Sequence, residues 1–252
     1  MNRIKIIGLA LMAVFAFSAV GTASASANLG PFYKVEGKTL KAGETRLLLA
    51  SARGNFQLNV ATLGQTITCT GLSLTGPDQI EGGLVGKSKE VIDFTGCTQT
   101  GLGEGCSIEN GLIATVPVVN LLGYSNSNRT GLVLVLFTPE SGTVFTTVKL
   151  LGKCMGELKS IAVKGSVIGL AQEGGKPVEV GKGSESLHGE VVFHKPGPKT
   201  LWMEEANGSL VETKSKLELG GNAATLEGTA LLLVDLVLSN GTRDPVVWGV
   251  FS

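Results

Sequence analysis

Charge, aromatic rings and histidine are all scarce in this chain. Charged residues make up 17% of it and Phe, Trp and Tyr together 5%. Lysine plus arginine number 21, as do aspartate plus glutamate. So even a balance leaves no electrostatic footprint for a nucleic acid or an anionic membrane surface. Few aromatics leave little for a sugar-stacking platform. Trp202, flanked by Glu204 and Glu205, is a candidate exposed contact, and Trp248, between Val247 and Gly249, reads as core. The only two histidines, His188 and His194, are six residues apart. On a strand they would share a face yet stand about 20 Å apart, too far for one metal ion. No G-x-S-x-G nucleophile elbow occurs. Glu204 and Glu205 are adjacent, so on a strand they point to opposite faces and cannot serve as a carboxylate pair. The run from Glu81 to Ser88 approaches a phosphate-binding loop, but Glu81 stands where the pattern needs glycine, and a Gly-rich hairpin is the expected reading. No catalytic, cofactor-binding or metal-ligating set is therefore assigned, and a non-enzyme is expected.

Long apolar runs are also missing beyond residue 27. Gly131–Phe137 is too short for a membrane-spanning helix, which needs roughly 20 apolar residues, and Thr229–Leu238 is broken by Asp235. The one long apolar stretch is at the start. Arg3 and Lys5 precede an apolar segment, Ile6–Val20, and small residues follow, with Ala23-Ser24-Ala25 and Ala25-Ser26-Ala27 both fitting a cleavage rule. Residues 1–27 are thus expected to be a secretory signal peptide, with residues 28–252 a single all-β domain. Cleavage would remove two basic residues and no acid, leaving 19 against 21 and a net charge of about −2. No cysteine sits at the cleavage site to take a lipid. The mature chain is expected to be secreted or at the cell surface, with no transmembrane segment.

What is abundant is glycine, 36 residues, set among short Val, Ile, Leu, Thr and Phe runs. That alternation is the all-β signature. Strands are expected at 45–50, 56–60, 65–70, 90–95, 106–115, 118–122, 132–137, 143–151, 158–171, 187–194, 200–205, 209–219, 223–238 and 246–251. Leu132–Phe137 is apolar throughout and should be covered on both faces. The alternation slips at Gly71, which suggests a bulge there. Three Asn-Gly pairs, at 110–111, 207–208 and 240–241, suit two-residue type I′ hairpins. They would set Ile108 opposite Ile113, Met203 opposite Glu212 and Leu233 opposite Trp248. The polar, Gly-rich stretch 173–186 reads as a long surface loop or as a sub-boundary. The fold expected is all-β, an antiparallel sandwich or barrel-like meander.

Cys69, Cys97, Cys106 and Cys154 all lie beyond the leader, and their spacing lacks the close pairs of zinc ribbons. In an oxidising compartment two disulfides are expected. Cys69 ends one strand and Cys97 follows another; Cys106 opens a strand and Cys154 follows one that could lie beside it. This favours Cys69–Cys97 with Cys106–Cys154. The rival is a local Cys97–Cys106 bridge with Cys69–Cys154.

The order Ile67-Thr68-Cys69, Phe94-Thr95-Gly96-Cys97, an isolated Cys106, Lys153-Cys154 and then Val163–Gly169 resembles uncharacterised secreted β-rich proteins of high-GC Gram-positive actinobacteria. The resemblance spans roughly residues 60–240. It implies export, disulfides and a β fold and adds no catalytic residue. The function expected is a non-enzymatic surface or extracellular role in structure or binding, toward a cell-envelope component. The alternative is a β-barrel that carries an apolar small molecule. Mass spectrometry of exported protein should find a new N-terminus at Ser26, Ala27 or Asn28; secreted material that retains Met1 would overturn the leader assignment.

Overall fold

The computed structural model describes residues 30–237 and 242–252. The leader and the Asn240-Gly241 turn lie outside the described residues. The described chain is all-β, with three single-turn 3-10 segments and no α-helix.

From the N-terminus, β1 (Phe32–Val35) and β2 (Lys38–Thr39) form a short hairpin. There follow β3 (Thr45–Ala52), β4 (Phe56–Val60), β5 (Gln65–Cys69), β6 (Gly71–Glu81) and β7 (Lys87–Thr95). Three short strands, β8 (Thr98–Thr100), β9 (Cys106–Ile108) and β10 (Ile113–Ala114), lead to β11 (Val118–Tyr124), β12 (Val133–Pro139) and β13 (Val144–Gly152). Next come β14 (Ser160–Gly165), β15 (Val167–Glu173), β16 (Lys176–Pro177), β17 (Gly189–Phe193) and β18 (Thr200–Glu204). The chain ends with β19 (Leu210–Lys214), β20 (Leu217–Leu219), β21 (Asn222–Val237), β22 (Arg243–Val246) and β23 (Trp248–Phe251).

Eight strands close on themselves. The order β3-β6-β7-β11-β12-β15-β17-β21 is antiparallel at every step, and β21 returns to β3. A barrel is therefore the outcome between the two all-β architectures expected. A ring of eight strands is just wide enough for its inward side chains to fill it. Leu48, Ile80, Ile92, Val118, Leu122, Val135, Phe137, Val191, Phe193 and Val234 do so.

The first half of β21 belongs to a second, smaller ring. There β21 pairs with β4, which continues to β5 and β8. On its other side it pairs with β20, which continues to β14, β13 and β9. The seam between β8 and β9 is spanned by the Gln99 side chain, whose Nε2 donates to the Cys106 carbonyl at 2.8 Å. Both disulfides flank this seam, Cys69–Cys97 beside β8 and Cys106–Cys154 at β9. The favoured pairing is the one formed.

The two rings meet at Gly228. β21 leaves β4 at Glu227 and takes up β17 at Gly228. Gly228 has φ +146, and a Cβ there would stand 2.5 Å from the Phe56 ring. Phe56 in turn meets Phe94 edge-on at 5.4 Å and Phe193 at 6.3 Å, making an aromatic partition between the rings.

Leu132–Phe137 is covered on both faces, as its composition demands. Val133, Val135 and Phe137 face the barrel core. Leu134 and Leu136 lie outside with Ile168 and Leu170, under Leu201 of the β18–β19 hairpin. The stretch 173–186 folds back onto the barrel. Val178 is buried; its carbonyl accepts from Val133 N–H and its N–H donates to Ala171. One end of the barrel is closed by the first and last of the described strands, as β1 pairs with β23 and with β2.

Several local expectations are corrected. Asn110 and Gly111 do take positive φ, but the turn joins no hairpin: Ile108 pairs with Leu150 and Ile113 with Phe94. A tight turn fixes direction only locally, and here it delivers the chain from one ring to the other. At Asn207-Gly208 the loop is three residues long with Gly208 alone at positive φ, so Met203 faces Val211 and Glu212 faces Trp202. That is the type I turn plus bulge geometry, one residue longer than type I′. Val234 pairs with Val246 and Trp248 pairs with Val35, so Leu233 is not opposite Trp248. The strands expected at 158–171 and 209–219 each break in two: at Ser166 the backbone crosses from the smaller ring to the barrel, and at Ser215-Lys216 it passes from the outer β18–β19 hairpin to the smaller ring. Gly71 starts β6 rather than forming a bulge; the register shift falls between Thr75 and Gln79, at Gly76.

Replacing Gly228 by alanine adds a Cβ against Phe56 and a disfavoured φ. Urea unfolding followed by tryptophan fluorescence should show a loss of roughly 2–4 kcal/mol. Gly142, at φ +70 with open space around it, should lose only about 1 kcal/mol on the same substitution. Equal losses at the two sites would refute the ring-crossing role of Gly228.

Candidate functional site

The alternation of β7 and β11 carries polar side chains into the barrel beneath its closed end. Ser88, Glu90 and Ile92 share the inward face of β7; Val118, Asn120 and Leu122 share that of β11. The register sets Asn120 opposite Ser88 and Val118 opposite Glu90. Asn120 Nδ2 donates to Ser88 Oγ at 3.0 Å and to Glu90 Oε1. Both Glu90 and Asn120 are 3% exposed. Tyr33 of β1 and Trp248 of β23 lie over this end with ring centroids 6.1 Å apart. Gly189 lets the indole in: a Cβ there would stand 2.6 Å from it.

Burial pushes the Glu90 carboxyl up to about 7; hydrogen bonds from Asn120 and Ser88 oppose the shift, and the charge of Asp78 adds to it. Burial first, and then the nearby Glu90 charge, hold the Tyr33 phenol above its usual range. Glu90 Oε2, Asn120 Oδ1 and Trp248 Nε1 are buried without a hydrogen-bond partner. All three residues line one cavity of about 60 Å³. A second cavity of about 50 Å³ lies in the smaller ring, lined by Ile67, Cys69, Val148, Val163 and Leu217 among others. Phe56, Phe94, Phe145, Val167 and Leu226 line both and form the wall between them.

Comparison with protein-family models, with curated proteins and with solved structures gives no match to this chain.

The residues weighed from sequence are placed as follows. His188 and His194 are exposed at the two ends of β17. Among the described residues no three His, Cys, Asp or Glu groups come close enough to hold a metal ion. Residues 81–88 form the β6–β7 hairpin, with Glu81 paired to Lys87 and their side chains bridged at 3.0 Å. Glu204 and Glu205 do face opposite ways. Glu204 is buried and held by Arg129, whose Nε and Nη2 donate to its two oxygens at 2.8 and 2.6 Å. Glu205 is exposed. Trp202 is half-buried in the outer hairpin, and Trp248 is buried.

The Glu90–Asn120–Ser88 group was missed from the sequence, although the signal was present. Extending the inward phase of Ile92 and Phe94 back along β7 puts Glu90 and Ser88 inside. The phase of Val118 and Leu122 does the same for Asn120.

The raised Glu90 value has a defined consequence for stability. The folded protein binds this proton more tightly than the unfolded chain, so the contribution is present below about pH 4.5 and is lost as pH rises through about 7. The loss attributable to Glu90 is about 3 kcal/mol across that window. Denaturant unfolding from pH 4.5 to 8 should show it, and Glu90→Gln should flatten the profile. A profile with the same slope in the variant would rule the assignment out.

Proposed function

We propose that this protein is an exported, non-enzymatic β scaffold that presents its outer surface to a component of the cell envelope or extracellular matrix. The observation that carries this reading is the filled interior. Both rings are packed with side chains and hold interior cavities of only about 60 and 50 Å³; two larger hollows, of about 400 and 410 Å³, open at the surface, one lined by His194, Lys195 and Lys216 among others and one by Glu81, Lys87 and Glu205 among others. Ordinary small-molecule pockets run to roughly 300–1,000 Å³. A barrel packed in this way supplies rigidity, and its outward residues and loops are left for recognition. Two disulfides fit an oxidising compartment, in keeping with the N-terminal leader and with the resemblance to secreted actinobacterial proteins. The surviving sheet edges suit a protein that stays dispersed outside the cell. β22 carries Arg243, Asp244 and Pro245, and β19 carries Glu212 and Lys214; charge and proline on an edge discourage strand addition.

The carrier reading needs the aromatic wall between the two cavities to move. Native mass spectrometry of protein purified from culture medium without denaturant separates the readings. The expected species is the disulfide-bonded mature chain alone, with cross-linking on intact cells capturing an envelope component. A retained apolar molecule of several carbon atoms would replace the scaffold by the carrier, and protein held inside the cell with free thiols would remove both.

A further inference from the structure

The ionisable side chains that line the upper cavity are Tyr33 and three carboxylates, Glu90, Glu173 and Glu190. Among the described residues no lysine, arginine or histidine lines it. Two of the carboxylates are already answered. Glu190 pairs with Arg53. Glu173 accepts from the Ser184 amide and hydroxyl and from the Val250 amide. Glu90 has no cation. Its Oε1 takes Asn120 Nδ2, while its Oε2 and the Asn120 carbonyl oxygen have no donor. Two free acceptors, 97% buried by exposure of their residues, thus sit on the wall of one cavity.

Buried acceptors of this kind call for a donor, and a carboxylate calls most strongly for a charged one. The aromatic pair Tyr33 and Trp248 lies on the same wall, and aromatic faces favour a cation. A volume of about 60 Å³ compares with the roughly 10–15 Å³ that one water needs on the same measure, so the guest has only a few heavy atoms. We propose that the closed end of the barrel is a binding site for a small primary ammonium ion, of the methylammonium or ethylammonium class, held by Glu90 Oε2 and Asn120 Oδ1 beneath Tyr33 and Trp248. Trp248 Nε1, a donor, takes a water that accompanies the ion. Entry requires the β1–β23 pair to part, because these strands cover that end. The proposal is independent of the scaffold reading, which concerns the outer surface.

The other titratable groups acting on Glu90 are Tyr33 from β1 and Asp78 from β6. Tyr33 stays neutral throughout the working range, so binding follows the ionisation of Glu90. The test uses the full mature chain with both disulfides intact. Methylammonium, ethylammonium and tetramethylammonium chlorides are titrated at pH 8 by calorimetry, with sodium chloride holding ionic strength constant. Saturable binding is expected for the first two and none for tetramethylammonium, which has no N–H donor. Affinity should fall about tenfold per unit as pH drops below about 7, because the proton competes for Glu90. Glu90→Gln should weaken binding at least tenfold; should that variant not fold, the pH series on the unmodified chain decides alone. The proposal is overturned by absence of saturable binding, by equal binding of tetramethylammonium, by a flat pH profile, or by a crystal grown with methylammonium at pH 8 that shows ordered waters only on Glu90 and Asn120.

Discussion

One strand holds the molecule together. β21 runs for 16 residues and serves both rings, trading β20 and β4 for β17 and β3 as it passes Gly228. Neither ring closes without it. The trade needs a sharp change of direction at a place where the Phe56 ring presses against the backbone. Only a residue without a Cβ meets both demands. Phe56 gains from the same contact: it reaches across to Phe94 and Phe193, and the aromatic cluster becomes a shared floor. The crossing, the partition and the size of both cavities therefore follow from one close approach.

The smaller ring has a weakness that the disulfides address. β8 and β9 have three residues each and do not form a ladder with one another. A single side-chain bond from Gln99 spans them. Strands so short gain little from pairing and keep most of their chain entropy as a cost. Each disulfide lies against one of them and closes a loop of 28 or 48 residues. In the chain-entropy account such loops contribute roughly 3–4 kcal/mol each. The main barrel, joined by a backbone ladder at every one of its eight steps, holds no disulfide. Covalent links are thus confined to the part of the fold where hydrogen bonding is thinnest.

Strand periodicity made most of the element list legible from the sequence, and the cysteine positions favoured the pairing that forms over its local rival. Phe56–Val60 agrees to the residue, and the two-faced burial of Leu132–Phe137 follows from its composition. What the sequence concealed was non-local. Asn110-Gly111 has the right turn chemistry, yet its two arms go to different rings, since a turn says nothing about distant partners. Gly76-Pro77 reads as a turn between strands, whereas β6 runs straight through it with a register shift. Strands at 158–171 and 209–219 look continuous because apolar residues continue on both sides of their breaks. The breaks exist because the chain changes layer there, from ring to ring at Ser166 and from the outer hairpin to the smaller ring at Ser215-Lys216, a tertiary fact that leaves only those serines and Lys216 as traces. Glu90 and Asn120 were legible by phase alone, but a charged residue at the start of a strand is ordinarily read as its exposed end.

The polar group inside the barrel stands apart from this economy of packing. Every other inward position named on β7 and β11, from Ile92 to Val118 and Leu122, follows the rule that interiors are apolar. Glu90 does not, and an isolated carboxylate out of water is among the costliest groups a protein can bury. Asn120 and Ser88 ease that cost without removing it, as the upward shift of the carboxyl shows. A leucine or valine at position 90 would fill the space with no such penalty. For a pure scaffold, stability would favour that exchange. The retained carboxylate, the free amide oxygen of Asn120 and the lid built from β1 and β23 are together more than closure of a barrel requires. Physical economy therefore places the interior's chemical selectivity under Tyr33 and Trp248, apart from the outer surface that the scaffold reading leaves for recognition.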